Sequence, residues 1–133
     1  MAITSTTSTP AIEARIKAAA VARTMTTATE LMTLPAGAVI VGMTLIGTAS
    51  NAGTTATLSI GVVGGSGTAY VNARDVKTAG TGTGCMPLTV AVDTSTALTA
   101  DTKINATYAE SGTASSAGAW TLLVHYVFPM IKA

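Results

Sequence analysis

Charged side chains are scarce in this sequence: Lys, Arg, Asp and Glu make up 10% of its 133 residues, against about 25% in an ordinary soluble domain. The basic residues are scattered and the formal net charge is +1. Neutralising the phosphates of a nucleic acid requires a cluster of cations. We therefore expect no nucleic acid among the partners of this chain.

Cysteine and long hydrophobic runs are also lacking. The one cysteine, Cys85, cannot form a disulfide within the chain or a cysteine-based zinc cluster. The longest apolar run, residues 38–46, falls short of the roughly 20 residues that span a membrane, and residues 1–10 lack the features of a secretory signal. We predict no metal, no cofactor and no membrane partner.

Small uncharged residues take the place of the missing charges. Thr, Ala and Gly make up nearly half of the chain, and hydrophobic residues account for 48%. A surface of Thr, Ser, Ala and Gly loses less free energy on desolvation than one of Lys and Glu, and interface centres are depleted in Lys, Glu and Asp. This composition indicates a surface that is buried in contacts, although a charge-poor secreted domain would share it.

Alternating apolar and polar residues, separated by turn residues, run through most of the chain. Strand-like segments lie at residues 23–34, 38–48, 54–62, 68–73, 88–92, 103–108 and 119–128. Glycine-rich or Pro-Gly turns punctuate them, as in the LPAG sequence that ends at Gly37. The pattern predicts an all-β fold, an antiparallel two-sheet sandwich or jelly roll, in a single domain over residues 23–133.

The alternation also predicts which side chains face the core. In the last strand the aligned residues are Trp120, Leu122, Val124, Tyr126 and Phe128, and in the strand at 38–48 they are Val39, Val41, Met43 and Leu45. We expect both sets to point inward.

The N-terminal residues 1–22 are predicted to be an arm outside the sandwich. Residues 1–10 are rich in Thr and Ser and end at Pro10, which favours an extended segment able to reach a neighbour. Residues 11–22 are rich in Ala, and Glu13 precedes Lys17 by four residues, so a short helix is an alternative there.

Catalytic chemistry finds little support in the sequence. His125 is the only histidine and lies in the middle of a predicted strand, whereas catalytic imidazoles more often lie in loops. No G-x-S-x-G turn or phosphate-binding loop occurs. A dyad of Cys85 and His125, or a sugar-stacking platform around Trp120, is formally possible, but we predict that the chain is not an enzyme and has no small-molecule substrate.

Three segments resemble small virion structural proteins of tailed bacteriophages. They are LPAGAVIVGMTLIGTASNAGTTATLSIG, DVKTAG and INATYAESGTASSAGAWTLLVHYV, and the likeness covers about residues 34–127. The resemblance implies a capsid cement (head decoration) protein on the outer surface of the head. Such proteins are often β-sandwiches or jelly rolls that sit as dimers or trimers on the shell and bridge neighbouring major capsid subunits.

We therefore predict a homodimeric or homotrimeric cement protein whose partners are its own copies and a major capsid protein. The residues expected to make contacts are Thr4, Thr7 and Pro10 in the arm and Asn51, Thr81 and Ser115 in loops. The alternatives are another virion structural subunit, such as a tail-tube or head-completion part, or a carbohydrate-binding module of a tail fibre or baseplate.

Overall fold

The computed structural model describes residues 12–77, 84–88 and 97–129, and within them the chain forms eight β-strands. The strands are β1 (Ile12–Ala22), β2 (Thr29–Leu34), β3 (Val39–Thr48), β4 (Thr55–Val62), β5 (Val71–Asp75), β6 (Gly84–Leu88), β7 (Thr102–Ser111) and β8 (Ala119–Pro129). These residues contain no helix, and hence none that is long and apolar enough to cross a membrane. The predicted all-β class is confirmed.

The strands form two four-stranded antiparallel sheets, and the strand order in each sheet defines the topology. Sheet A has the order β1-β8-β3-β6, and sheet B has the order β2-β7-β4-β5. Strands from the two ends of the chain thus pair in a nested series: β1 with β8, β2 with β7, β3 with β6 and β4 with β5. One long antiparallel ribbon wound into two sheets in this way is a jelly roll.

The core lies between the sheets and takes alternate residues from each strand. β8 contributes Trp120, Leu122, Val124 and Tyr126, all buried, with Phe128 packed against them, as the alternation predicts. The facing strands of sheet B contribute Ala56, Leu58, Ile60, Ile104, Ala106 and Tyr108. Burying a whole Leu or Ile side chain contributes about 2 kcal/mol, so this core is the main source of stability.

The turn before β3 has the predicted chemistry. Gly37 has a φ of +90°, in the left-handed region that glycine adopts without the penalty of a Cβ. The amide of Ala38 donates a hydrogen bond to the carbonyl of Pro35 at 3.2 Å. The turn lets β3 begin at Val39, beside β8.

The prediction for the faces of β3 is wrong in its first half. Met43 and Leu45 point into the core, but Val41 is 59% exposed and Val39 is only half-buried. The pairing of β3 with β8 shifts register within residues 40–42. A β-bulge places an extra residue in one strand and so inverts the alternation beyond it, which turns Val41 outward.

The helix considered for residues 11–22 is also wrong over the described residues, because Ile12–Ala22 is strand β1. All eleven residues pair with β8. Val21 and Ala19 face the core, whereas Ala18 and Ala20 between and beside them are exposed. Helix propensity is a weak preference that tertiary pairing overrides. The Lys17 ammonium donates to the carbonyl of Thr33 in β2 at 2.6 Å, so an inward-pointing charge links the edge strands of the two sheets.

Candidate functional site

The outer face of sheet A is an apolar and exposed surface of the described residues. It comprises the outward-pointing side chains Ala14, Ile16, Ala18 and Ala20 of β1, Thr121, Leu123, His125 and Val127 of β8, Val39, Val41, Thr44, Ile46 and Thr48 of β3, and Cys85 and Pro87 of β6. None of these side chains is a carboxylate, an ammonium or a guanidinium. This face can therefore be covered without desolvating a permanent charge.

Large aliphatic side chains protrude from this face. Ile16 and Val41 are each 59% exposed and Ile46 is 41% exposed. In the described part of the chain, the remaining large hydrophobic residue with comparable exposure is Val63, which follows β4. Single exposed aliphatic residues are common on proteins, but a contiguous apolar patch indicates a contact surface.

A depression of about 400 Å³ lies in the same face, next to His125. Its lining includes Ile16, Val41, Val127 and Arg15. The His125 imidazole is half-buried, and its Nε2 lies 3.5 Å from the Thr44 hydroxyl. This environment is mostly apolar and suits a packed side chain better than a polar substrate.

The outer face of sheet B differs in charge and in cover. Lys103 and Glu30 lie 3.8 Å apart on it, both largely exposed. The loop between β4 and β5 packs so closely on Gly61 that a Cβ there would overlap the backbone of Ser66 and Gly67. Part of this face is thus already covered by the chain itself.

Asn105 is buried on sheet B, with 5% of its surface exposed. Its Oδ1 has no hydrogen-bond partner within the part of the chain that the structure describes. Asn105, Ala106 and Thr107 match the N-x-Thr pattern of a glycosylation acceptor, but such acceptors lie on the surface, so the buried Asn105 side chain does not fit that role in the folded protein.

The loop end of the sandwich, residues 49–54 and 112–118, contains two of the predicted contact residues, Asn51 and Ser115. The Asn51 Oδ1 accepts hydrogen bonds from the amides of Ser116 at 2.8 Å and Ala117 at 3.0 Å, and its Nδ2 donates to the Ser116 hydroxyl at 2.9 Å. Asn51 therefore binds the β3–β4 loop to the β7–β8 loop. Residues some 65 positions apart are joined here, a contact that no local pattern could have predicted.

Ser115 links the same loop to the carboxylate of Glu110 and the guanidinium of Arg23. Its hydroxyl and amide donate to the Glu110 carboxylate at 2.6 and 2.9 Å, and its carbonyl accepts from the Arg23 guanidinium at 2.7 Å. The bonds from Ser115, with smaller contributions from Tyr108 and Arg23, hold the pKa of Glu110 below its ordinary value.

Tyr108 connects this end to the core. Its ring is buried against Trp120, with centroids 5.7 Å apart, and its hydroxyl lies 2.7 Å from the Ser50 hydroxyl, which in turn accepts from the amide of Ala52 at 3.2 Å. Hydrogen-bond capacity at the loop end is thus used within the molecule.

The aromatic platform required by a carbohydrate-binding module is missing from the described residues. Trp120, Tyr70, Tyr108 and Tyr126 are all at most 5% exposed. Stacking on a sugar requires an accessible ring face. These four side chains are core residues, and the carbohydrate-binding alternative loses the feature on which it depended.

The Cys85–His125 dyad is not assembled. Cys85 pairs with Ile46, which in turn faces Thr121, four residues along β8 from His125. Four residues of strand correspond to about 13 Å, far beyond the hydrogen-bond reach that such a dyad needs. Within the described ranges no three His, Cys, Asp or Glu side chains are grouped as metal ligands would be.

The predicted contact residues fall into two groups. Asn51 and Ser115 are brought together at the loop end, whereas Thr4, Thr7, Pro10 and Thr81 lie outside the described residues. The role of all six in subunit contacts stays a prediction. Sequence reasoning did not single out the outer face of sheet A, although the His125, Leu123 and Val127 alternation of β8 was visible in the sequence.

The fold is similar to solved phage capsid structures. A chain of the cyanophage Pam1 capsid asymmetric unit matches with 26% sequence identity and a TM-score of 0.67, over 90% of this chain and 86% of that chain. A chain of the acid-stable capsid of Helicobacter pylori bacteriophage KHP30 matches with 16% identity and a TM-score of 0.63, over 90% and 94%. No family model and no curated protein sequence matches.

The two similarities carry different weight. At 16% identity the KHP30 match concerns the fold alone, whereas the Pam1 match adds some sequence similarity over nearly the whole of both chains. Taken with the uncharged outer face of sheet A, they support a structural role in a phage virion.

Proposed function

We propose that this chain is a capsid cement protein, which sits on the outer surface of a phage head, associates with copies of itself as a dimer or trimer and bridges major capsid subunits. The observation that supports this most is the match to the Pam1 capsid chain, which extends over most of both chains. The paucity of charge and the exposed aliphatic side chains fit a protein that is covered in an assembly.

The mechanism would be linkage between binding and shell stability. A protein that binds the assembled shell but not its dissociated subunits stabilises the shell by mass action. When many copies each make a modest contact, the summed binding free energy is large. No chemical step is required, and none of the side-chain clusters described above supplies one.

The test uses capsids assembled without this protein. Purified protein is added, bound copies are quantified and the melting temperature of the shell is measured. We expect saturable binding at a number of copies comparable to the major capsid protein, together with a higher melting temperature. Capsids that already carry the protein are the control, because their sites are filled and neither quantity should change.

The alternatives give different outcomes in the same experiment. A tail-tube or head-completion subunit would leave the shell uncovered or would bind in only a few copies. A carbohydrate-binding module would bind glycans and leave the shell's melting temperature unchanged. Either result would contradict the cement function.

A further inference from the structure

We propose that the outer face of sheet A packs against the same face of a second copy of this chain. The inference rests on the proposed function, because it names the surface through which copies of the cement protein associate. The occupant is this chain and not the shell, for reasons of exposure, charge and area.

Exposure is the first reason. Three of the four large hydrophobic side chains that are exposed in the described residues lie on this one face: Ile16, Val41 and Ile46. Their burial is favourable wherever it occurs. A second copy offers the same aliphatic side chains in return, so both partners gain from one contact.

Charge is the second reason. A twofold pair brings a surface against itself, so that a charged residue near the axis meets its own equivalent with the same sign. Among the described residues no Asp, Glu, Lys or Arg side chain points outward from sheet A, and the guanidinium of Arg15 lies 5.9 Å from the centre of the Phe128 ring. The outer face of sheet B, with Glu30 and Lys103, lacks this property.

Area is the third reason. Three strands of ten or eleven residues and the five-residue β6, spaced about 4.8 Å apart with about 3.3 Å per residue, give a face of about 600 Å². Two such faces bury about 1,200 Å² in all, which reaches the lower limit for a specific, stable interface. Two sheets also pack readily face to face, with their strands about 30° apart.

The relief of the face is compatible with this pairing. Ile16 and Val41 protrude beside the depression of about 400 Å³ next to His125. The depression offers room for the same protruding side chains of a second copy. His125 and Thr44 supply polar groups that can form hydrogen bonds across the contact.

The experiment compares two Val→Lys variants of the full chain. Val41→Lys places a charge in the proposed contact, whereas Val63→Lys makes the same change at a residue that is 43% exposed and lies outside sheet A. Molar mass is measured by sedimentation equilibrium over a wide range of concentration. Ile16→Lys serves as a second contact variant, and circular dichroism with thermal unfolding verifies that each variant folds.

We expect the wild-type chain and Val63→Lys to dimerise. Val41→Lys should weaken the dimer by at least about 100-fold, because the buried charge occurs twice in a symmetric contact. Ile16→Lys should act in the same direction.

Three results would overturn the inference. One is a wild-type chain that stays monomeric at all concentrations, and another is a wild-type oligomer that tolerates both Val41→Lys and Ile16→Lys. The third is that Val41→Lys and Ile16→Lys leave the oligomer unchanged but abolish binding to capsids lacking the protein. This result would assign the face to the shell and would not contradict the cement function. If the wild-type chain itself does not bind capsids lacking the protein, the cement function is contradicted, whatever the oligomeric state.

Discussion

The loop end of the sandwich and the outer face of sheet A use their surface groups in opposite ways. At the loop end, Asn51, Ser115 and Glu110 are bonded to neighbours within the chain. On sheet A, Ile16 and Val41 point into solvent with more than half of their surface exposed. Polar groups of the loop end thus form hydrogen bonds within the chain, which leaves them less to gain from a partner. The exposed aliphatic side chains of sheet A would still gain free energy if a partner buried them.

The largest expected change in the free energy of unfolding distinguishes the inner from the outer side of β8. Leu122 is fully buried and Leu123, its neighbour, is half-buried on the outer face. Leu122→Ala should lower the free energy of unfolding by about 3 kcal/mol, because it leaves a cavity, whereas Leu123→Ala should cost about 1 kcal/mol or less. Urea unfolding of both variants measures the difference, and equal losses would mean that the faces of sheet A are wrongly assigned.

A smaller effect is expected where the loop end meets the core. Tyr108→Phe removes the hydroxyl that lies 2.7 Å from that of Ser50 and should cost about 1 to 2 kcal/mol, because a buried polar group loses its partner. The matched control is the same change in a Ser50→Ala background, where the cost should shrink. Additive losses would contradict a direct bond.

The loop-to-loop contact should be weaker again. Asn51→Ala removes three hydrogen bonds to residues 116 and 117, but the site is exposed to water, so we expect a loss of about 1 kcal/mol. Asn51→Asp keeps the accepting oxygen and should recover much of it. Amide exchange at Ser116 and Ala117 should quicken in Asn51→Ala and stay slow in Asn51→Asp. Unchanged exchange in both would show that the loop end is not held by Asn51.

The smallest effect concerns pH. Because the pKa of Glu110 is lowered in the folded chain, its contribution to stability is complete above the unfolded value of about 4.3 and is lost as pH falls through the folded value. Glu110→Gln removes this contribution, so the melting temperatures of wild type and variant should converge as the solution is acidified. A gap that stays constant from neutral to acidic pH would be the contrary result.

The strand pattern of the body could be predicted because it is local. Alternation in β8 placed its core residues on the inner face, alternation at residues 54–62 and 103–108 indicated the strands β4 and β7, and Gly37 marked the turn before β3. Each of these signals lies within ten residues or so, where side-chain period and turn chemistry act directly.

The remaining features depend on distant contacts. Strand β1 has an Ala-rich, helix-compatible sequence and becomes a strand because β8, more than ninety residues away, pairs with it. The bulge that turns Val41 outward also arises from pairing with β8. The local residue pattern predicts neither the strand conformation of β1 nor the bulge at Val41. Together they create the apolar face, which was not predicted from the sequence.

The roles predicted for Asn51 and Ser115 illustrate the same limit at the loop end. Both were chosen as polar loop residues, and both lie in the described loops, but their partners are 65 and 92 positions away in Ser116 and Arg23.

The most direct test of the cement function is the number of copies of this protein in purified virions of the phage that encodes it, measured by quantitative mass spectrometry against the major capsid protein. We expect copy numbers of the same order for the two proteins, with the small one released from the outside of the head before the shell dissociates. Its absence from heads, or its presence in only a few copies at one vertex or in the tail, would contradict the account.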